Sequence, residues 1–455
     1  MADFRSSIAA AVNRTLQELE SKPPDVQEQF AQTTVPHAEA VMADMELNES
    51  VGDGEPPEPP GMRELLLRAQ EKLASLEADA VHGTFVHTED PDVALLLSAL
   101  EHAAGSTPAA PAPAADDESL EESFALPSGE MIGLHKYDAT DPRWILSALN
   151  MIVRDKVPFR APSGPTDAQT QLPDRDITIS MAGDWGTGLY SSNQIAKYMA
   201  AQKPDITVHL GDVYYSGTEK EVFDKFIKHF PRGVMASFAL NANHDMYSGG
   251  SGYFNVILRD PDFGHQKQKS FFSLYNRTWQ VIGLDTAYES AKAELYQKGV
   301  LGAGQLAWFQ AQLEQAKAAG RRVIILTHHN PVSIRGGSQD KNMMQQLFGA
   351  ATRAGSMFEY WIWGHEHGVA VFEPFAWNGA NVKGRCIGHG GIPYGVTPGG
   401  DKGDGVIVRW TETGTYANEP RQALNGFGVI TLPIAGGELI EKYYDDTGRL
   451  RYPLP

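Results

Sequence analysis

The sequence is short of several things, and each shortage excludes a class of protein. It holds a single cysteine, Cys386, so no intramolecular disulfide forms and a reducing compartment is expected. No stretch approaches the roughly 18 consecutive apolar residues that a spanning helix needs. The opening residues Met1-Ala2-Asp3-Phe4-Arg5 lead into a charged amphipathic pattern, not the apolar core of a signal peptide. A cytoplasmic protein without a membrane partner is expected. Basic residues are scarce at the front: positions 1–130 carry 6 Lys and Arg against 26 Asp and Glu, whereas the other 325 carry 32 against 31. The net charge of −19 therefore arises in the front part, and the neutral remainder offers no basic surface for nucleic acid. Apolar residues still make up 42% of the 455 positions, enough for a globular core.

The charge asymmetry coincides with a change of pattern. Residues 1–105 read as an acidic helical region: Phe4, Ile8, Val12, Leu16 and Leu19 fall on one helical face, as do Met62, Leu65, Leu66, Ala69, Leu73 and Leu76. Residues 106–130 form a Pro/Ala and acidic linker. Residues 131–175 are expected to be a helical connector whose Trp144, Ile145, Leu149 and Ile152 cover an apolar edge of the C-terminal domain. An acidic, tethered segment of this kind suits self-association or a basic protein partner. From residue 176 to 455 short apolar runs of strand length alternate with helical stretches: Ile177–Ala182, Ile206–Leu210, Val234–Leu240, Trp279–Leu284, Val323–Leu326 and Tyr360–Trp363. This predicts an α/β domain, a layered β-sandwich flanked by helices. Phe427–Leu432 and Glu438–Tyr444 read as closing strands at ordinary sheet edges. Residues 388–405, with 8 glycines in 18 positions, read as a mobile loop.

The chemistry sits where those runs end. Gly183-Asp184-Trp185-Gly186 follows the first, Gly211-Asp212-Val213-Tyr214-Tyr215 the second, and Asn243-His244-Asp245 the third. Thr327-His328-His329-Asn330-Pro331 follows the fifth and Gly364-His365-Glu366-His367 the sixth. Ligands of α/β sheets bind outside the carboxyl ends of strands. A set of carboxylate, amide and imidazole donors suits zinc, iron or manganese. Each of these clusters alone is a weak signal, His365-x-His367 the strongest because both imidazoles of an extended segment point to one side; their joint occurrence in this order carries the reading.

The ordered set resembles the calcineurin-like metallophosphoesterase superfamily. Asp184-x-Gly186, where most members carry Asp-x-His, together with Tyr215, resembles the purple acid phosphatase variant. Ala242 and Asp245 are milder departures. The resemblance implies two metal ions. Asp184, Asp212, Tyr215 and His367 would hold the first, and Asp212, Asn243, His328 and His365 the second, with Asp212 shared. His328 fits the spacing of the fifth block, although a His-x-Pro reading selects His329, which is otherwise expected on the substrate side. His244 would act on the phosphoryl group and its leaving group, oriented by Asp245. His209 is expected in the core or behind the ligands. His389 is expected either to touch substrate or, more simply, to be a solvated loop residue.

The function expected is a binuclear metal-dependent phosphoesterase, an acid phosphatase-like enzyme acting on small phosphate monoesters. A small-molecule phosphodiesterase, acting on a cyclic nucleotide or similar diester, is the alternative on the same site. A different class of reading makes the acidic helices a scaffold and the hydrolase domain vestigial.

Overall fold

The computed structural model describes residues 154–453 apart from 293–294, 337–339, 378, 404 and 418. The expected acidic helices, linker and the Trp144–Ile152 stripe lie outside the described residues.

Strands β2 (Ile177–Ala182), β3 (Ile206–His209) and β4 (Ala236–Ala239) run parallel in one sheet. On the far side of β2 the sheet continues antiparallel through β16 (Gly426–Leu432), β17 (Ile440–Asp445) and β18 (Leu450–Tyr452). The second sheet is built around β6 (Trp279–Gly283), β7 (Arg322–Thr327) and β8 (Tyr360–Trp363), also parallel. It extends one way to β5 (Phe272–Tyr275) and β1 (Gln169–Gln171). The other way it passes through β11 (Ala380–Ile387), β9 (Val369–Phe372) and β13 (Ile407–Thr411).

Alternation along the strands produces a layered core. In β7, Ile324 and Leu326 join Ile179, Met181, Val208 and Phe238 of the first sheet between the two sheets. Val323 and Ile325 face the other way, onto Trp308, Phe309 and Leu313 of α2 (Ala303–Ala318) and Met343 and Leu347 of α3 (Lys341–Ala354). Both faces of the strand are covered, which is why these segments read as continuous apolar runs. Full burial of each such side chain contributes about 1.5–3 kcal/mol. On the outer face of the first sheet, α1 (Tyr190–Ala201) packs Ile195 and Met199 beside Trp185, Phe226 and Phe263. The ends of α3 are set by local chemistry: the Asp340 side chain accepts from Met343 N, and Gly355 closes the helix at φ 61°.

Three expectations change. β16 is no edge: it pairs with β2 on one side and β17 on the other. Residues 154–175 contain no helix; they pass through a turn at 165–168 into β1, which pairs with β5, so the second sheet begins before residue 176. The start of the glycine-rich segment is packed, with Gly390 N donating to Gly183 O at 3.0 Å and Gly388 N to Gly368 O at 2.9 Å.

Candidate metal centre

The carboxyl ends of β2, β3, β4, β7 and β8 bring the donors together. At three of these ends the backbone turns through the left-handed region on a residue that is not glycine: Asp184 at φ 56°, Asp212 at 75° and His365 at 66°. Such conformations cost on the order of 1–3 kcal/mol each and persist where the surroundings demand them. Gly211, before Asp212, has φ 104°, and a Cβ there would meet His328 Nδ1 at 2.6 Å. The two sheets approach each other too closely at this point for any side chain.

One group of donors surrounds His328. Its Nδ1 donates to the carbonyl of Leu210 at 2.9 Å, so Nε2 carries the lone pair. That lone pair faces Asn243 Oδ1 at 2.8 Å and Asp212 Oδ1 at 3.5 Å. Asn243 Nδ2 donates to Tyr247 Oη, which fixes the carbonyl oxygen toward the histidines. His365 Nδ1 lies 3.1 Å from the same Asn243 oxygen. Imidazole, amide and carboxylate ligand atoms that converge in this way could hold a cation between them. Asp212, His328 and His365 place one ligand atom each within 4.8 Å of one another.

The second group surrounds a phenol. Tyr214 Oη lies 3.0 Å from Asp184 Oδ1, 3.0 Å from Asp212 Oδ2 and 3.1 Å from His367 Nε2. A hydroxyl has one proton, and two carboxylates compete for it. Asp212 thus serves both groups, Oδ1 toward His328 and Oδ2 toward Tyr214. The Asp184 carboxylate also accepts from the backbone of His365 at 2.8 Å, tying the end of β2 to the end of β8.

The sequence expectation that Tyr215 supplies the phenol differs from what the structure shows: Tyr214 brings its hydroxyl to the carboxylates. Tyr215 is held by its backbone instead, its N donating to Glu221 Oε1 at 2.5 Å and its carbonyl accepting from His244 Nδ1 at 2.7 Å. The second contact also replaces the expected role of Asp245, because the His244 ring is oriented by the Tyr215 carbonyl. Between the two neighbours, His328 is the one in the cluster. His329 is not on a substrate side: its Nε2 meets Tyr296 O at 2.7 Å and its Nδ1 meets Thr286 Oγ1 at 2.7 Å. His389 is buried, and its Nδ1 has no hydrogen-bond partner among the described residues, so it is not a solvated loop residue. His209 lies in the core against Trp185, Phe226 and Phe230. Gly186 could not be a histidine here without backbone movement, since its Cβ would meet Val213 Cα at 2.8 Å.

Glu221 lies outside the five donor clusters, yet it organises the loop after β3. It accepts from the backbone of Tyr215, Ser216 and Thr218 and forms a capping box with Thr218. The Thr-x-x-Glu spacing is the signal that could have found it.

Burial makes the cluster a set of neutral imidazoles around opposed carboxylates. It lowers His328, pushes His365 well below the usual histidine value and brings His367 to about 4. Burial, then the Asp212 charge, pushes Asp184 well up; Asp212 is held low against its own burial, with the His244 backbone N–H donating to its Oδ1 at 3.1 Å. Burial and the two carboxylates raise Tyr214, so the phenol keeps its proton until a cation arrives.

Residues 177–369 match the calcineurin-like phosphoesterase family. No curated protein sequence matches the chain. Among solved structures, an anchor protein of the Plasmodium inner membrane complex is similar at a TM-score of 0.43 and 14% identity, over 61% of this chain and 87% of that one. A purple acid phosphatase from yellow lupin seeds gives 0.42 and 14%, over 62% and 54%. A dimetal phosphatase of Danio rerio gives 0.36 and 12%, over 58% and 98%. The segment that matches the calcineurin-like phosphoesterase family carries every donor described above, from Asp184 to His367.

Proposed function

We propose that the protein hydrolyses small phosphate monoesters with two metal ions. Asp184, Asp212, Tyr214 and His367 would hold one; Asp212, Asn243, His328 and His365 would hold the other. The observation that carries this reading is the placement of the Asp212 carboxylate between the two groups, Oδ1 3.5 Å from His328 Nε2 and Oδ2 accepting from Tyr214 Oη at 3.0 Å. When bound, such a pair supplies Lewis acidity and a water of lowered pKa. The chain supplies the rest. The three imidazoles stay neutral and keep their lone pairs for ligation. With Nδ1 donating to Tyr215 O, His244 Nε2 lies 3.9 Å from Asp212 Oδ2, and the imidazolium form would hand its Nε2 proton to a departing alkoxide.

The test is metal analysis of the purified protein with assays on p-nitrophenyl phosphate and bis(p-nitrophenyl) phosphate. Two metals per chain and faster turnover of the monoester are expected. A metal-loaded protein inert on both esters overturns the reading.

The choice of phenol has its own test. Tyr214→Phe is expected to weaken the first metal by at least the roughly 10–100-fold that loss of an outer partner costs, whereas Tyr215→Phe leaves metal content alone. If the first ion is Fe(III), the visible colour disappears with Tyr214. Bleaching in Tyr215→Phe instead would return the ligand role to Tyr215.

A further inference from the structure

Glu366 stands between two of the donor histidines in the chain, but both of its oxygens are used elsewhere. Oε1 accepts from Ser333 Oγ at 2.7 Å and Oε2 from Ile334 N at 2.7 Å. Ser333 Oγ in turn accepts from Arg335 N at 3.0 Å, and Gly336 N donates to Ser333 O at 3.2 Å to close the turn. Gly336 takes φ 80°, and a Cβ there would meet Lys402 O at 2.8 Å, so the turn is braced from behind as well. The result is a short turn clamped to the segment that carries His365 and His367.

We propose that Glu366 is a positioning residue that fixes the Ser333–Arg335 turn beside the donor cluster, and that Arg335, presented there, recognises the second negative charge of a phosphate monoester. This rests on the hydrolase reading above and adds the group that sets its preference among esters. Arg335 is exposed, and no carboxylate pairs with it among the described residues. Lys225, the cation beside the tyrosine loop, is engaged with Tyr214 O at 2.5 Å and Glu221 Oε1 at 3.2 Å. A guanidinium suits a phosphoryl group because its planar donors match two oxygens at once. Near neutrality a monoester offers it up to two charges and a diester one, so removal of the guanidinium penalises the monoester more.

The experiment compares the metal-loaded wild-type protein with Arg335→Gln, Arg335→Lys and Glu366→Gln. Each is assayed on p-nitrophenyl phosphate and its bis ester, and each for inhibition by inorganic phosphate. With metal content unchanged, Arg335→Gln should lower kcat/KM on the monoester about tenfold, mainly through KM, and on the diester about threefold or less. The inhibition constant of phosphate should rise in parallel. Arg335→Lys should recover part of the loss, and Glu366→Gln should shift the ratio in the same direction with the arginine still present. An unchanged monoester-to-diester ratio and phosphate inhibition in Arg335→Gln overturns the assignment; loss of metal in Glu366→Gln overturns its positioning role. Should the wild type hydrolyse neither ester, the hydrolase reading falls by itself. Calorimetric titration of inorganic phosphate into wild type and Arg335→Gln then decides on the arginine alone, equal affinities refuting it.

Discussion

Asp212→Asn is expected to abolish hydrolysis and leave the protein with far less metal than the parent. The two Asp212 oxygens face different donor groups, Oδ1 toward His328 and Oδ2 toward Tyr214. An amide keeps one oxygen and replaces the other with a nitrogen that carries two protons and has no lone pair to give. It also removes the charge that two cations would share. A metal acting as Lewis acid contributes several kcal/mol, and about 1.4 kcal/mol is tenfold in rate, so the loss should reach on the order of 10³-fold. Metal analysis and turnover on p-nitrophenyl phosphate measure it, with circular dichroism to separate lost metal from lost fold. A folded variant that retains two metals and most of its activity would end the shared-ligand assignment.

His244→Ala should leave metal content intact and slow turnover by roughly 10²–10⁴-fold, the usual cost of a lost acid–base group. The ring is bracketed by Tyr214 at 4.4 Å and Tyr247 at 4.6 Å between centroids, and anchored through Nδ1 to the Tyr215 carbonyl. Unlike His328 it is not sealed off, since its side chain is 11% exposed where that of His328 is 0%. A proton donor matters most when the leaving oxygen is basic. An alkyl phosphate should therefore suffer more than p-nitrophenyl phosphate, whose leaving group departs without help. Equal losses on both would argue against proton donation, and a parallel loss of metal would make His244 a ligand.

The positions of these residues were legible wherever burial on both faces leaves an unbroken apolar run that stops at a polar cluster. β2 and β8 match their expected bounds, and Asp184, Asp212, Asn243, His328, His365 and His367 all stand at the strand ends where their motifs placed them. The illegible remainder has a common cause, the irregular backbone between elements. Tyr214 and Tyr215 are adjacent in a loop with no period, so nothing in the sequence tells which ring turns toward the carboxylates. His328 and His329 are likewise neighbours just past β7, and the choice depends on where Leu210 and Thr286 offer partners from remote parts of the chain. The interior place of β16 was hidden for a further reason: strand order in a sheet depends on pairing across long separations, which local pattern does not encode.

That same strand has a consequence for how the protein is made. β2 carries Asp184 at its end and pairs along its length with β16, Ile179 opposite Ile430 and Met181 opposite Gly428. During synthesis β2 leaves the ribosome long before β16 does. For most of translation, then, an apolar strand next to the future site has an open row of backbone donors and acceptors on one side. Unpaired edges of this kind are where nascent chains meet each other or a chaperone. Translation that stops short of Gly426 would release a chain holding every donor residue but lacking the strand that seals the sheet beneath them. Such truncated products should be sticky clients of quality control rather than weak enzymes.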